Sequence, residues 1–345
     1  MTQELAAPMA QAARTGPARP EISVVVPVLN EEANVAALVA RLEPVLERCA
    51  RSFEIVFVDD GSTDGTLAAL RGLAAGDRRV RTVSFSRNFG KEIAIAAGLD
   101  HAHGEAIVII DADLQHQPEA IETFVSYWRQ GYKNVYGQRV DRAADSRLRR
   151  LLTQRFYRLF GAFGETPLPE GAGDFRLLDR QAADALRAMG ERARFSKGLY
   201  AWIGFRSIGV PIQIDERAAG TSKFSYRKLT RFALDGLMSF STVPLKVWTY
   251  IGIITAVVAL CTAFYFIIDT MMRGVDVPGY ASLIVSVMFF SGVQLISLGV
   301  LGEYIGRIFA EVKRRPLYIV EEEIDGERHV EPYPAPGRPP HPPAD

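Results

Sequence analysis

Two uncharged runs near the carboxyl end, Val247 to Ile268 and Val277 to Gly302, constrain this chain more than anything else in it. At helical rise each is long enough to cross about 30 Å of hydrocarbon. They therefore predict two transmembrane helices, about 247–268 and 279–302, within a segment from 244 to 310. Runs of this length without a charge are rare in soluble cores. The connecting loop holds a single base, Arg273, whereas Lys246 flanks one outer end and Arg307, Lys313, Arg314 and Arg315 follow the other. That asymmetry predicts a multi-pass protein of a cell (inner) membrane, with both termini and the bulk of the chain on the cytoplasmic side.

The rest of the chain must supply whatever chemistry there is. Lys plus Arg and Asp plus Glu both total 40 in 345 residues, so no basic surplus points to nucleic acid. The two cysteines, Cys49 and Cys261, lie far apart, and Cys261 falls inside an apolar run. Neither a disulfide framework nor a cysteine zinc site is expected. Residues 1–20 have no apolar stretch of the kind a secretory signal needs and read as a disordered leader. The stretch after the second run, 311–345, reads as a cytoplasmic tail, proline-rich from 331.

From Glu21 onward, short apolar strands alternate with helical stretches, the pattern of a sheet covered by helices on both faces. The strands read as Ile22 to Val28, Phe53 to Asp60, Val80 to Ser86, Glu105 to Asp113 and Asn134 to Arg139. An α/β domain over 21–225 is the expectation. Several of these strands end in acids or amides, and in open sheets ligands bind beyond the carboxyl ends of the strands. The first strand-to-helix turn, after PVLNEE, has no glycine, so the dinucleotide fingerprint is absent where it would be needed. Gly90-Lys91 is followed by Glu92, with neither the upstream glycine nor the hydroxyl residue of a phosphate-binding P-loop. VDDGSTDGT has the look of a calcium loop, but its twelfth position is Leu70 and not a bidentate Glu.

The strongest local signal is IVIIDADLQ: four apolar residues, then Asp111 and Asp113, two apart in extended chain and so on one side of the strand end. Such a pair can hold a hard divalent cation, Mg²⁺ or Mn²⁺, against a diphosphate, with phosphate oxygens and water completing the shell. A bare D-x-D means little by itself; its place after a buried strand gives it weight. His101, His103 and His116 read as surface residues. Two basic, partly apolar stretches, Ser146 to Phe163 and 226–243, have helical spacing, and the second reads as a juxtamembrane amphipathic helix lying on the membrane surface.

Taken in order, PVLNEE, VDDGSTDG, SFSRNFGKEIAIAAGLD, DADLQHQPE, GDFRLLDR, RFSKGLYAWIGF, ERAAGTSKFSY and the terminal pair of apolar runs resemble the polyprenyl-phosphate glycosyltransferases of glycosyltransferase family 2, among them dolichol-phosphate mannose synthase and the bactoprenol glucosyltransferases. The resemblance spans roughly Glu21 to Arg315. It implies a GT-A fold, a divalent metal, an inverting reaction, a nucleotide-sugar donor and a polyprenyl (undecaprenyl or dolichyl) phosphate acceptor. By it, Pro27, Leu29, Glu31, Val58 and Asp60 border the nucleotide. Asp111, Ala112, Asp113 and Gln115 hold metal and diphosphate, while Arg139, Arg217 and Lys223 contact phosphates. Asp174 stands where a base or a group orienting acceptor or sugar belongs; from the residues alone it is as readily an acid paired with Arg176 or Arg180. The chain departs from close relatives at His116 and Gln117, where an acid followed by Pro is frequent. Likeness is nearest to the glucosyl-transferring branch, so UDP-glucose leads over GDP-mannose and UDP-N-acetyl sugars. A processive synthase would carry a Q-x-x-R-W motif and more spans, and neither is present. A catalytically silent nucleotide-sugar-binding scaffold is the other alternative. With only two short spans, interfacial helices packing between subunits would make a homo-oligomer.

Overall fold

The computed structural model describes residues 19–139, 171–192, 194, 196–213, 243–273, 279–325 and 328–330. Nine strands are found among them: β1 (Ile22–Val28), β2 (Phe53–Asp59), β3 (Val80–Phe85), β4 (Ala106–Ile109), β5 (Asn134–Arg139), β6 (Ala172–Asp179), β7 (Ser207–Ile212), β8 (Val320–Asp325) and β9 (Arg328–Val330). They form one sheet in the order β7-β5-β6-β4-β1-β2-β3-β8-β9. The four central strands β4, β1, β2 and β3 are parallel. β6 runs antiparallel to β4 and β5, and β8 antiparallel to β3, so the sheet is mixed.

The parallel strands read as unbroken apolar runs because both faces are covered. Alternate residues of β1 serve different layers. Val24 and Val26 pack with Leu38, Leu42 and Leu46 of α1 (Glu32–Cys49) and with Phe124 of α4 (Ala120–Arg129). Val25 faces the other way, onto Ile95 and Leu99 of α3 (Lys91–His101), with Leu186 of α5 (Arg180–Ala188) and Leu199 of α6 (Ser196–Trp202) completing that layer. Helix α2 (Thr66–Gly76) lies between β2 and β3 in the chain. The approach of α3 to β1 depends on Gly98: a Cβ there would lie 2.1 Å from Val25 Cγ1. Gly98→Ala is therefore expected to cost about 1–3 kcal/mol through overpacking, read as a fall in melting temperature. An unchanged melting temperature would mean that α3 is free to shift outward.

Beyond the sheet, α7 (Val243–Arg273) and α8 (Tyr280–Val312) are long helices that cover residues 247–268 and 280–302 of the two apolar runs. Among the described residues one segment, Ser286–Val312, is long and apolar enough to cross a membrane by length and composition, and none of it is buried. Ile254, Phe264, Leu283, Phe289 and Leu295 are all exposed. The amphipathic stretches at 146–163 and 226–242 lie outside the described residues, as does nearly all of the leader and everything after 330.

The tail differs from expectation. Residues following α8 return to the sheet as β8, a strand with a buried Ile324 that sequence reading left inside a cytoplasmic tail. Its acids explain the docking. Arg81 of β3, nearly buried, pairs with Glu323 and Glu54 at 3.1 Å each, and Arg71 of α2 with Glu322. Tyr318 stacks on Phe85 with ring centroids 5.0 Å apart.

Candidate active site

β4 ends at Ile109, and the chain turns away from the sheet two residues later, with Leu114 at φ 59° and the Gln115 amide donating to Asp113 Oδ1 at 3.2 Å. Asp113 thus lies in a turn that starts just after Asp111, so the extended chain that the sequence suggested for the pair does not run through both. A side chain of this size rarely takes that left-handed geometry, and the turn brings the backbone round. The partner of Asp111 comes from the antiparallel neighbour. Ile109 lies opposite Arg176 at the end of the β4–β6 register, and just beyond it Asp111 and Asp174 come within reach of one ammonium, that of Lys91.

Lys91 bridges the two carboxylates. Its Nζ lies 2.6 Å from Asp111 Oδ1, 2.8 Å from Asp111 Oδ2 and 3.2 Å from Asp174 Oδ2. Burial alone would lower the ammonium's pKa, but the charges of Asp111 and Asp174 outweigh it and raise the value. Burial likewise works to raise the Asp174 carboxyl, and Lys91, Lys197 and Arg176 overcome it, holding the group down at about 2. The other oxygen of Asp174, Oδ1, is buried and has no hydrogen-bond partner among the described residues.

A second layer supports this triad. The buried Arg176 guanidinium lies 3.4 Å from the centroid of the Tyr200 ring and donates to Gly173 O at 2.6 Å. Ser196 donates its hydroxyl to Glu92, whose carboxyl is pushed up by burial and then by the charge of Asp174. His116 stacks on Phe175 at 5.1 Å, and burial pushes its pKa down. His101 is largely covered, against Glu323 at 3.3 Å. Neither is the surface residue expected from sequence: each gains an aromatic or acidic neighbour from a strand far away in the chain. His103 is exposed, as expected.

The other sequence candidates divide. Pro27 and Val58 face each other in the β1–β2 register and are buried, with Leu29 exposed just beyond. Glu31 accepts from Asn34 Nδ2 at 2.6 Å, and its amide donates to Thr66 Oγ1 at 2.9 Å. Asp60 is buried and accepts from the Phe89 amide at 2.6 Å and the Gly90 amide at 2.9 Å, so its carboxylate holds the loop leading into α3. Ala112 is buried and Gln115 half-buried in the turn. Arg139 closes β5, with its side chain outside the description. Arg217 and Lys223 lie outside the described residues.

Sequence reasoning passed over Lys91, Glu92 and Tyr200 as site residues, and named Arg176 only as a pairing partner for Asp174. One local signal existed for Lys91: a base at the first position of a helix, against the positive end of the dipole, breaks a local rule. Among the described residues no three His, Cys, Asp or Glu side chains converge as a self-sufficient metal site. Asp111 and Asp113 nonetheless present hard oxygens in one turn, a donor set that suits a divalent ion finishing its shell with phosphate oxygens and water.

The glycosyl transferase family 2 model matches residues 23–187, and a second, the GtrB C-terminal hairpin, matches 243–308. A glycosyltransferase of Synechocystis sp., described as uncharacterized, is 48% identical over 88% of this chain and 95% of its own length. The bactoprenol glucosyl transferase of the SfII prophage in Shigella flexneri is 44% identical over 89% of this chain and 99% of its own. A prophage bactoprenol glucosyl transferase homolog of Escherichia coli K12 is 44% identical over 87% and 98%. Among solved structures, glucosyl-3-phosphoglycerate synthase from Mycobacterium tuberculosis aligns over 64% of this chain and 78% of its own at 18% identity and a TM-score of 0.47, a distant likeness. With near-full-length relatives well above 40% identity, an α/β sheet of GT-A type and acids gathered at its strand ends, this chain is a glycosyltransferase and belongs to glycosyltransferase family 2.

Proposed function

We propose that this glycosyltransferase moves glucose from UDP-glucose to polyprenyl (undecaprenyl) phosphate at the cytoplasmic face of the cell membrane, with inversion at the anomeric carbon. The observation that carries the reading is the convergence of Asp111, Asp174 and Lys91 at the carboxyl end of β4, where two acids and a base meet beside the turn that holds Asp113. The names of the Shigella and Escherichia relatives support the glucosyl and bactoprenol parts. The exposed apolar faces of α7 and α8 support an acceptor that resides in a membrane, and the basic residues Lys246, Arg307, Lys313, Arg314 and Arg315 outside the two runs support cytoplasmic termini.

The acceptor phosphate is a monoester with a second pKa near about 6, already largely ionised at neutral pH. Its oxygen attacks the anomeric carbon, a bond forms there, and the bond from that carbon to the nucleoside diphosphate breaks with its electrons leaving on the diphosphate. No strong base is needed. Asp174, held at about 2, is far too weak a base for proton abstraction near neutrality. Its work is to hold charge and geometry: it keeps a partner on Lys91, whose ammonium offsets negative charge that develops at this end of β4. Mg²⁺ or Mn²⁺, when bound by Asp111 and Asp113, supplies neutralisation of the departing diphosphate. Pro27, Leu29, Glu31, Val58 and Asp60 border the nucleotide, Ala112 and Gln115 shape the diphosphate turn, and Arg139, Arg217 and Lys223 offset phosphate charge. Subunits pack as a homo-oligomer through interfacial helices.

The test is transfer of labelled sugar from UDP-glucose, GDP-mannose and UDP-N-acetyl sugars to undecaprenyl phosphate, with Mg²⁺, Mn²⁺ or chelator. Labelling of lipid from UDP-glucose alone, abolished by chelator, is the expected result. Lipid labelled from another donor would replace the sugar assignment; binding of nucleotide sugar without any transfer to lipid would sink the acceptor.

A further inference from the structure

Lys91 is placed by more than its own helix. The loop that leads to it is fixed from three sides. Asp60 accepts from the Phe89 and Gly90 amides. Gly61 comes so close that a Cβ on it would lie 2.5 Å from the Arg87 carbonyl carbon. The Ser86 amide donates to Ile319 O at 3.1 Å. So held, the ammonium sits within hydrogen-bond reach of both oxygens of Asp111 and of one oxygen of Asp174. A divalent ion at the turn needs those same Asp111 oxygens. It would also bring two positive charges beside an ammonium that is itself anchored by two acids.

We propose that Lys91 is a resident competitor for the metal, a built-in cation that occupies Asp111 and keeps the free protein's affinity for Mg²⁺ or Mn²⁺ low until a nucleoside diphosphate arrives. The proposal rests on the metal-assisted reading given above. The diphosphate adds negative charge at the turn, which favours the entering ion and offsets its repulsion from Lys91. Asp174 gives the ammonium a second partner, 3.2 Å away, when Asp111 turns to the metal. Metal therefore enters with the nucleotide, and the protein does not fill its site with metal in the absence of donor. Lys91 acts here as a positioning residue whose effect is read in metal affinity.

The experiment is a Mn²⁺ titration of the full chain in mild detergent, followed by electron paramagnetic resonance, without nucleotide and with UDP. Wild type is expected to bind Mn²⁺ weakly alone and much more tightly with UDP. Lys91→Met is expected to raise the nucleotide-free affinity by roughly tenfold or more, the effect of removing one competing unit charge at contact distance, and so to narrow the gain on adding UDP. Lys91→Arg, which keeps the charge, is expected to stay weak without nucleotide, and melting temperatures of both variants establish that they are folded. Asp111→Asn added to Lys91→Met should return the affinity to a low value. A Lys91→Met protein whose nucleotide-free affinity equals or falls below wild type overturns the proposal, as does a gain that survives Asp111→Asn. No Mn²⁺ binding by wild type even with UDP would instead remove the metal-assisted reading, and this inference with it.

Discussion

Asp174→Asn is expected to leave donor binding close to wild type and to lower kcat by about 10²- to 10³-fold, the usual effect of removing one preorganised charge-stabilising group. The substitution keeps the shape and removes the charge that holds the Lys91 ammonium once Asp111 serves the metal. Because the carboxyl is depressed to about 2 from an ordinary 3.8, it is ionised across the working pH range, and the acid limb of the rate profile will not belong to it. Its contribution to stability is present in full above about pH 4 and is lost as the pH falls towards 2. Steady-state kinetics of the Asn protein, with its donor KM, decides the matter. A loss of kcat below about fivefold would show that Asp174 is a bystander, and a rate restored by raising the pH would make it a base after all.

The largest loss of stability is expected at Arg176. Its guanidinium is 1% exposed, lies over Tyr200, and donates to Gly173 O, with Asn134 Oδ1 at 3.5 Å from Nη1. Arg176→Ala removes the cation that offsets the buried Asp174 charge and leaves a carbonyl and an aromatic face without a partner. A cost of about 3–5 kcal/mol follows for breaking a buried charge arrangement from one side. Arg176→Lys recovers only part of it, because an ammonium cannot both cover the ring and keep the fork of donors. Chemical or thermal unfolding in detergent measures the difference; a cost under about 1 kcal/mol for the Ala protein would mean that water replaces the guanidinium.

The central strands were legible because burial on two faces leaves unmistakable apolar runs: β1 and β5 have the expected bounds, and β2 and β3 end one residue short. β4 was read too long, since Ile110 is apolar and continues the run, while the turn at Asp111 is set by backbone geometry that composition does not record. Strand β6 was hidden inside a motif recognised only by resemblance. With it went the β4–β6 pairing beyond whose end Asp174 and Asp111 meet at Lys91. Antiparallel register between distant segments is a long-range property, and no local pattern states it. For the same reason Lys91, eighty-three positions before Asp174, carried no visible partner in the sequence. β8 was missed because its outward acids look like a solvated tail until Arg71 and Arg81 are seen across from them.

That last strand alters the order in which the molecule can be completed. β3 is made early, but its antiparallel neighbour emerges only after α7 and α8 have been synthesised, so one edge of the sheet stays open while the apolar hairpin is being placed. An open edge is a template for unwanted pairing, and here it can be closed only after β8 has been made. The hairpin thus behaves as a long insertion between two segments of one sheet, β7 and β8, and not as an appended anchor. A further tie near its end, the Arg192 amide donating to Glu311 at 2.8 Å, shortens the leash. The end of α8 is therefore tied back to the sheet twice, by β8 and by this hydrogen bond, and the catalytic face has little freedom to swing relative to that end of the helix.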